Sequence, residues 1–342
     1  MTFQEQPGSS PASGPGSPGK TGENGSAPSG AGYAVVVGGV NIDIGGTPFS
    51  PLKMEDSNPG KVTTSLGGVG RNIAHNLSLM GAPVTFLTAF GDDIYAQNII
   101  HSCTELNIDI SRALMIKGGA TPVYLFINDS DHDMAAAVSD MAICDEISAE
   151  YLGFRSGILN GAQIVASDTN IPANSLAWLA EHCTAPLFVD PVSTKKAVKL
   201  KPILGKLHTL KPNRIEAELL SGVRIHDEES LKKAAGVLLD TGLKRVFISL
   251  GSDGVLAADH SSMLLIPCFP ASLKSTTGAG DAFMAGLAWA HMHGLDLGNA
   301  GLFASAAAAI AVESTETINP GMSVEAVGQK IAGTPAQIRK IV

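Results

Sequence analysis

A glycine-rich loop in the C-terminal part of the chain carries the residues best suited to chemistry. The run Ser275-Thr-Thr-Gly-Ala-Gly-Asp281 precedes an apolar stretch that predicts a helix. A glycine loop at a helix start directs free backbone amides at one spot, where the helix dipole also favours negative charge. Gly278, Ala279 and Gly280 therefore predict an anion hole for a phosphoryl group in transit. Asp281, in the first turn of the helix, could accept a proton from an attacking hydroxyl.

Two segments nearer the N-terminus could hold the acceptor of that group. The pair Gly67-Gly68 precedes a predicted helix, where glycine lets the backbone approach a ligand. Asn72, in the first turn of this helix, could offer its amide to ribose hydroxyls, although many helices begin with Gly and Asn. Asp43 follows a short apolar strand, at the position where open α/β sheets bind ligands, and suits the vicinal hydroxyls of a sugar.

Two further segments could serve a nucleotide. Asn213 and Glu216 follow a predicted strand and are three residues apart, hence on one helix face, where they could organise a hydrated Mg²⁺ and phosphates. A capping arrangement explains the same spacing. The glycine-rich stretch from Ser249 to Val255 ends another strand, and it could equally be a plain hairpin turn.

The chain begins with a segment, residues 1 to about 32, that is dominated by Gly, Pro and Ser and is predicted to be a disordered leader. Within it, Gly14–Thr21 satisfies the P-loop pattern GxxxxGK[ST] and Gly14–Gly19 satisfies the dinucleotide pattern GxGxxG. Both motifs work only between a strand and a helix, and neither is predicted there. We interpret the matches as accidents of composition.

From residue 33 onward, short apolar strands alternate with helical stretches. This alternation predicts a three-layer α/β/α domain with a mostly parallel sheet over residues 33–342. The predicted strands are 33–38, 84–89, 164–167, 187–189, 208–210 and 246–250, and the predicted helices are 72–80, 94–106, 175–182, 214–221, 229–241, 279–293 and 302–312. Two extended segments, about 42–66 and 119–138, break the rhythm and predict a small second sheet that would suit a lid.

Composition excludes several classes of protein. The formal charge is −9, from 32 acidic and 23 basic residues, so no nucleic-acid partner is expected. The 4 cysteines are widely spaced, which argues against a zinc site or a disulfide framework. No apolar run of about eighteen residues and no signal or transit segment is found, so no membrane partner is expected and the cytoplasm is the expected location.

Taken in order, these segments resemble the ribokinase (PfkB-type) family of carbohydrate and nucleoside kinases over residues 33–330. The resemblance implies a ribokinase-like fold, ATP and Mg²⁺ as cofactors, and a small-molecule acceptor. It makes Asp281 the catalytic base and Gly278–Gly280 the anion hole. The implied acceptor positions are Asn41, Asp43, Gly67, Gly68 and Asn72. The implied positions for ATP and metal are Asn213, Glu216, Ser249, Gly251 and Gly254, with Glu216 serving the metal.

Four segments are longer than the general family motifs, and they resemble family members that phosphorylate a nucleoside. They are Asp56–Lys61, Asp168–Ile171, Phe188–Ser193 and His208–Glu218. On this basis the 5′-hydroxyl of a ribosyl group is the expected acceptor, with Asp168 and Asn170 near the nucleoside pocket. One departure concerns a monovalent-cation site, for which many family members carry Asp where this chain has Ser275. A hydroxyl is a poorer ligand for K⁺ than a carboxylate, which leaves K⁺ dependence open.

Other functions stay open from sequence alone. Another sugar or nucleoside kinase, for ribose, adenosine or a ketose, would share the same chemistry. A catalytically silent nucleotide-binding regulator is disfavoured because Asp281, Asn213 and Glu216 are all intact, although Asp281 alone could simply complement its helix dipole. An NAD-dependent dehydrogenase is disfavoured because the first strand leads into no GxGxxG turn. The resemblance also predicts a homodimer formed through the lid, which has an apolar face and sheet edges to cover.

Overall fold

A ten-stranded sheet runs through the centre of the computed structural model, which describes residues 32–131, 133–334 and 338–342. From one edge to the other the strands are Ile108–Asp109, Val84–Leu87, Ala34–Val37, Ile164–Asp168, Leu187–Asp190, Thr209–Leu210, Arg245–Ser249, Val255–Asp259, Met263–Ile266 and Arg339–Lys340. Neighbouring strands pair in parallel as far as Arg245–Ser249, and the last three strands pair antiparallel. The predicted α/β fold with a mostly parallel sheet is confirmed.

The central strands are buried on both faces because their side chains are apolar on both faces. All four residues of Ala34–Val37 are fully buried. Val36 packs into the core on one side of the sheet, while Val35 and Val37 pack into the core on the other side, as the period of two requires. Helices cover both faces of such a sheet, which gives the three layers.

Several helices begin directly after the loops that form the predicted site. Their bounds are Val69–Leu79, Ala96–Glu105, Ala149–Gly153, Ser156–Asn160, Ala173–His182, Thr194–Ala197, Arg214–Ser221, Glu228–Asp240, Ala279–Met292, Leu297–Ala311 and Val324–Gly333, with 3₁₀ turns at Ala142–Glu146, Val198–Lys206 and Gly251–Asp253. Two of these helices approach very closely, since a Cβ at Gly286 would lie 2.7 Å from the Cα of Ala304. That close packing fixes the helix that begins at the predicted anion hole.

A second, four-stranded sheet forms from the two extended segments and is called the lid sheet below. Its strands, in spatial order, are Gly60–Gly67, Asn41–Pro48, Val123–Asn128 and Met134–Asp140. A further two-stranded pairing joins Ala89–Gly91 to Leu114–Ile116. The predicted pairing of strands from both segments is therefore present, and whether this sheet moves as a lid stays a prediction.

Some helix and strand bounds differ from those predicted from the sequence. The first helix begins at Val69 rather than at residue 72, and the helix predicted from residue 302 begins at Leu297. The antiparallel strands after residue 250 were not predicted. The P-loop match at Gly14–Thr21 lies outside the described residues. Within the described part of the chain, no helix has the length and apolarity to span a membrane, and all cysteines are free thiols.

Candidate active site

The predicted anion hole is a sharp turn that only glycine can form. Gly278 precedes the helix Ala279–Met292 with φ of 81°, in the left-handed region. A Cβ on Gly278 would lie 2.0 Å from the backbone oxygen of Thr317, so a side chain there would displace backbone. The turn leaves the first amides of the helix without partners inside the helix, as an anion-binding site needs.

Asp281 is the third residue of this helix, half-buried at the mouth of the turn. The amide of Asn72 donates a hydrogen bond of 2.8 Å to its Oδ2. Burial raises the pKa of Asp281 to about 7, and the charges of Asp190 and Asp168 add to the rise, while the Asn72 hydrogen bond and Lys211 oppose it. A carboxylate with a pKa near neutrality is well suited to general-base catalysis.

The amide of Asn72 therefore orients Asp281 in this structure, and its contact with an acceptor stays a prediction. The two glycines before the helix of Asn72 leave space for other parts of the protein. A Cβ on Gly67 would lie 2.2 Å from Oδ2 of Asp43, and one on Gly68, where φ is 99°, would lie 2.5 Å from the backbone oxygen of Gly39. These glycines make room for a site side chain and a neighbouring loop, and the close approach of a ligand to them stays a prediction.

Asp43 and Asn41 lie on the second strand of the lid sheet, and they interact with each other. Nδ2 of Asn41 donates to Oδ1 of Asp43 at 2.6 Å. Burial raises the pKa of Asp43, and the Asn41 hydrogen bond and the charge of Arg71 oppose that rise. The structure therefore brings a polar pair to the end of the first strand, and its contact with sugar hydroxyls stays a prediction.

Asp168 holds three segments of the site together. Its Oδ2 accepts hydrogen bonds from the backbone amides of Gly39 and Gly70, at 3.0 and 2.7 Å, and its Oδ1 accepts one from Asn170 at 2.7 Å. The side chain is fully buried. These hydrogen bonds make Asp168 a residue that positions the loops, and its place near the nucleoside pocket stays a prediction.

Asn170 stands beside the strand end that leads to the acceptor residues. Its Nδ2 lies 3.2 Å from the position that a Cβ on Gly39 would take. Its Oδ1 accepts a hydrogen bond from Nζ of Lys196, a residue that sequence reasoning did not single out. Asn170 thus remains the candidate for acceptor contact from this loop.

The residues predicted to serve the nucleotide also lie close to one another. Asn213 and Glu216 form the reciprocal cap expected as the alternative, with both N–H···O distances at 2.9 Å. Backbone pairing places Asn213 next to Ser249. The stretch after Ser249 is indeed a hairpin turn, in which Gly251 and Gly254 have φ of 66° and 89°. Their contacts with ATP stay predictions.

The residues around Asn213 fit the hydrated Mg²⁺ that was predicted from the sequence. No group of three or more His, Cys, Asp or Glu side chains is placed to hold a metal among the described residues. Magnesium, however, keeps several waters and takes only one or two protein carboxylates beside substrate phosphates. Glu216, only 4% exposed and next to Asn213, would supply one such carboxylate, and its contact with a metal stays a prediction.

Sequence reasoning missed one ion pair at the site. Nζ of Lys211 lies 3.0 Å from Oδ2 of Asp190, with both side chains nearly buried. Each residue ends or directly follows a parallel strand, namely Leu187–Asp190 and Thr209–Leu210. The rule that polar residues at these strand ends face the ligand would have identified both.

The chain belongs to the pfkB family of carbohydrate kinases, whose family model matches residues 31–324. It is therefore an ATP-dependent phosphotransferase of the sugar and nucleoside kinase class. A pseudouridine kinase from Escherichia coli K12 is 38% identical over 295 residues, which cover 85% of this chain and 94% of that protein. An uncharacterised sugar kinase from the same organism is 34% identical over 297 residues, with coverages of 86% and 82%. The structure of a carbohydrate kinase from Agrobacterium tumefaciens superposes with a TM-score of 0.78 at 27% identity, covering 90% of this chain and 100% of that one.

Proposed function

We propose that this protein is a pseudouridine kinase, which transfers the γ-phosphoryl group of ATP to the ribosyl 5′-hydroxyl of pseudouridine and gives pseudouridine 5′-phosphate and ADP. The observation that supports the proposed mechanism is the Asn72–Asp281 hydrogen bond, because it orients a carboxylate in the first turn of the helix that follows Gly278. The acceptor is supported by the 38% identity to a pseudouridine kinase. The four longer segments that resemble such an enzyme, Asp56–Lys61, Asp168–Ile171, Phe188–Ser193 and His208–Glu218, support it as well.

The proposed chemistry is an in-line transfer. Asp281 takes the proton of the 5′-hydroxyl while the hydroxyl oxygen bonds to the γ-phosphorus. The bond from that phosphorus to the β-phosphate oxygen breaks, and ADP leaves with the electron pair. The amides that follow Gly278 hold the negative oxygens of the group in transit. Mg²⁺, held through Glu216 and Asn213 with the nucleotide, would neutralise phosphate charge when bound.

A screen of acceptors tests the substrate. With ATP and Mg²⁺, we expect kcat/KM for pseudouridine to exceed that for uridine, adenosine and ribose by about tenfold or more, since buried polar groups of a site reject analogues that leave them unpaired. ADP release, measured for each acceptor at several concentrations, gives the ratios. A higher value for ribose or another sugar would favour the alternative suggested by the 34% identical sugar kinase. ATP binding without turnover of any acceptor would favour a silent regulator.

We also propose that two copies pair through the lid sheet. Paired strands put Val62, Leu125, Ile127 and Val138 on the face opposite Asp43. All four apolar side chains are exposed, from 36% for Ile127 to 71% for Val62. An exposed apolar face on a small sheet with free edges needs a cover, and a second copy would supply it.

Light scattering at micromolar concentration tests this pairing. We expect the natural chain to be a dimer and Leu125→Glu to be a monomer, since the carboxylate would be buried between two apolar faces. Val237→Glu, a substitution at another exposed apolar position, serves as the control and should leave the dimer intact. A monomeric natural chain would rule the pairing out.

A further inference from the structure

The buried ion pair of Lys211 and Asp190 is costly for the protein to keep. Nζ and Oδ2 are 3.0 Å apart, and the two side chains are 9% and 7% exposed. Two charges taken out of water lose hydration, and their mutual attraction often only offsets that loss. Stability alone is thus a weak reason for such a pair, and the direction of its charges offers a better one.

The ammonium group of Lys211 points at the anion hole. The nearest heavy atom to the position that a Cβ on Gly280 would take is Nζ of Lys211, at 3.1 Å. Gly280 lies in the first turn of the helix, directly before Asp281. The ammonium therefore reaches the surface of the amide turn itself, and the absence of a side chain at Gly280 keeps that approach open.

A strained turn holds the other member of the pair. Val192, a β-branched residue, has φ of 62°, which is rare for such a side chain. The amide of Ser193 donates to the backbone oxygen of Pro191 at 2.6 Å, and the amide of Val192 donates to Oδ1 of Asp190 at 2.8 Å. This turn fixes the carboxylate that faces Lys211. Strained backbone of this kind concentrates at functional sites.

Lys211 is a cation among several carboxylates, and this setting indicates what it could bind. Its Nζ contacts Asp190, and the carboxylates of Asp281 and Glu216 are near enough to attract it. The carboxylate of Asp190, with Oδ2 3.0 Å from Nζ, is the partner that an ammonium ion needs at a buried position. A phosphoryl group entering a site with so many carboxylates needs a fixed cation as well as neutral amides.

We propose that Lys211 is a catalytic residue that donates a hydrogen bond to the oxygens of the phosphoryl group in transit, with Asp190 holding it in place. Lys211 gives up no proton in the step and stays an ammonium throughout. It stabilises charge while Asp281 takes the proton of the acceptor. The inference rests on the phosphoryl transfer proposed above and on no particular acceptor.

Three variants separate this role from a structural one. With the best acceptor found in the screen, Lys211→Met should lower kcat by about 10²–10³-fold, the range for losing one donor to transition-state charge, with KM for the acceptor within a few-fold. Lys211→Arg should recover part of the loss because it keeps the charge. The double variant Lys211→Met with Asp190→Asn removes both buried charges and should stay folded, as its thermal melting will show, yet remain as slow as Lys211→Met. Recovery of the double variant to within about tenfold of the natural enzyme would overturn the proposal, since it would show that Lys211 only neutralises Asp190.

A binding measurement needs no acceptor and so stands apart from the substrate proposal. ADP with aluminium fluoride mimics the phosphoryl group in transit. Calorimetry should show tighter binding of ADP with aluminium fluoride than of ADP alone to the natural enzyme. The Lys211→Met variant should bind ADP normally and lose that gain. A gain preserved in Lys211→Met would overturn the role of Lys211, whereas failure to phosphorylate pseudouridine would overturn only the proposed acceptor.

Discussion

Replacing Asp281 by Asn should lower kcat by about 10²–10⁴-fold, the range for losing a general base, while KM for ATP and for the acceptor changes little. The amide is nearly the same size as the carboxylate, and its oxygen can still accept the hydrogen bond from Asn72. It cannot take a proton from the attacking hydroxyl. The loss therefore falls on the chemical step rather than on binding.

A matched control exists at the start of the next helix. Asp296 caps the helix Leu297–Ala311, where its Oδ1 accepts a hydrogen bond from Asn299 at 2.8 Å. Asp296→Asn makes the same chemical change at a helix start remote from the anion hole. Steady-state kinetics should show kcat within about twofold of the natural value for this variant. Nearly equal kcat values for the two variants would show that Asp281 is a helix-terminal acid and not the base.

The pH dependence of the natural enzyme should report the same group. Only ionised Asp281 can accept the proton, and its pKa is raised to about 7, so kcat/KM should fall as pH decreases through that value. Each further pH unit below it should cost about tenfold, until another group titrates. The acidic limb should disappear in Asp281→Asn. A limb that persists unchanged in the variant would belong to a different group.

The order of the elements could be predicted because each buried parallel strand is a short apolar run. Ala34–Val37 and Leu187–Asp190 are examples, and the turn that follows the first of them was predicted to contact the acceptor. The strands Val255–Asp259 and Met263–Ile266 were missed, since the glycine turn before them left a nucleotide contact and a plain hairpin equally open and no strand was assigned after it. Local patterns mark a strand's end but do not say which strands are neighbours.

The side-chain partners at the site depend on which strands and helices are neighbours, and local sequence patterns do not give this. Asn72 and Asp281 are 209 residues apart, and their hydrogen bond exists only because the helices Val69–Leu79 and Ala279–Met292 lie side by side. Asp190 and Lys211 meet because their strands are adjacent in the sheet. Residue types were therefore sufficient to propose Asp281 as the base, whereas the charges that set its pKa required the sheet order.

The turn at Gly278 should be the least replaceable backbone of the site. Gly278→Ala puts a Cβ 2.0 Å from the backbone oxygen of Thr317 and imposes the left-handed φ of 81° on a residue that disfavours it. The loop must move, and the amides of the anion hole move with it. We expect kcat to fall by about 10²–10³-fold, as for loss of a donor to transition-state charge.

The other end of the same helix provides the control that separates strain from catalysis. Gly294, just past the helix Ala279–Met292, has a similar φ of 71°, but a Cβ there would meet nothing within 4 Å. Gly294→Ala should therefore cost about 1–2 kcal/mol of stability, seen as a lower melting temperature, and leave kcat nearly unchanged. Kinetics and thermal melting of both variants measure the two effects. If Gly278→Ala lowered stability alone and kcat stayed as high as in Gly294→Ala, then the amides after Gly278 would have no part in holding the phosphoryl group, and the anion hole would have to lie elsewhere.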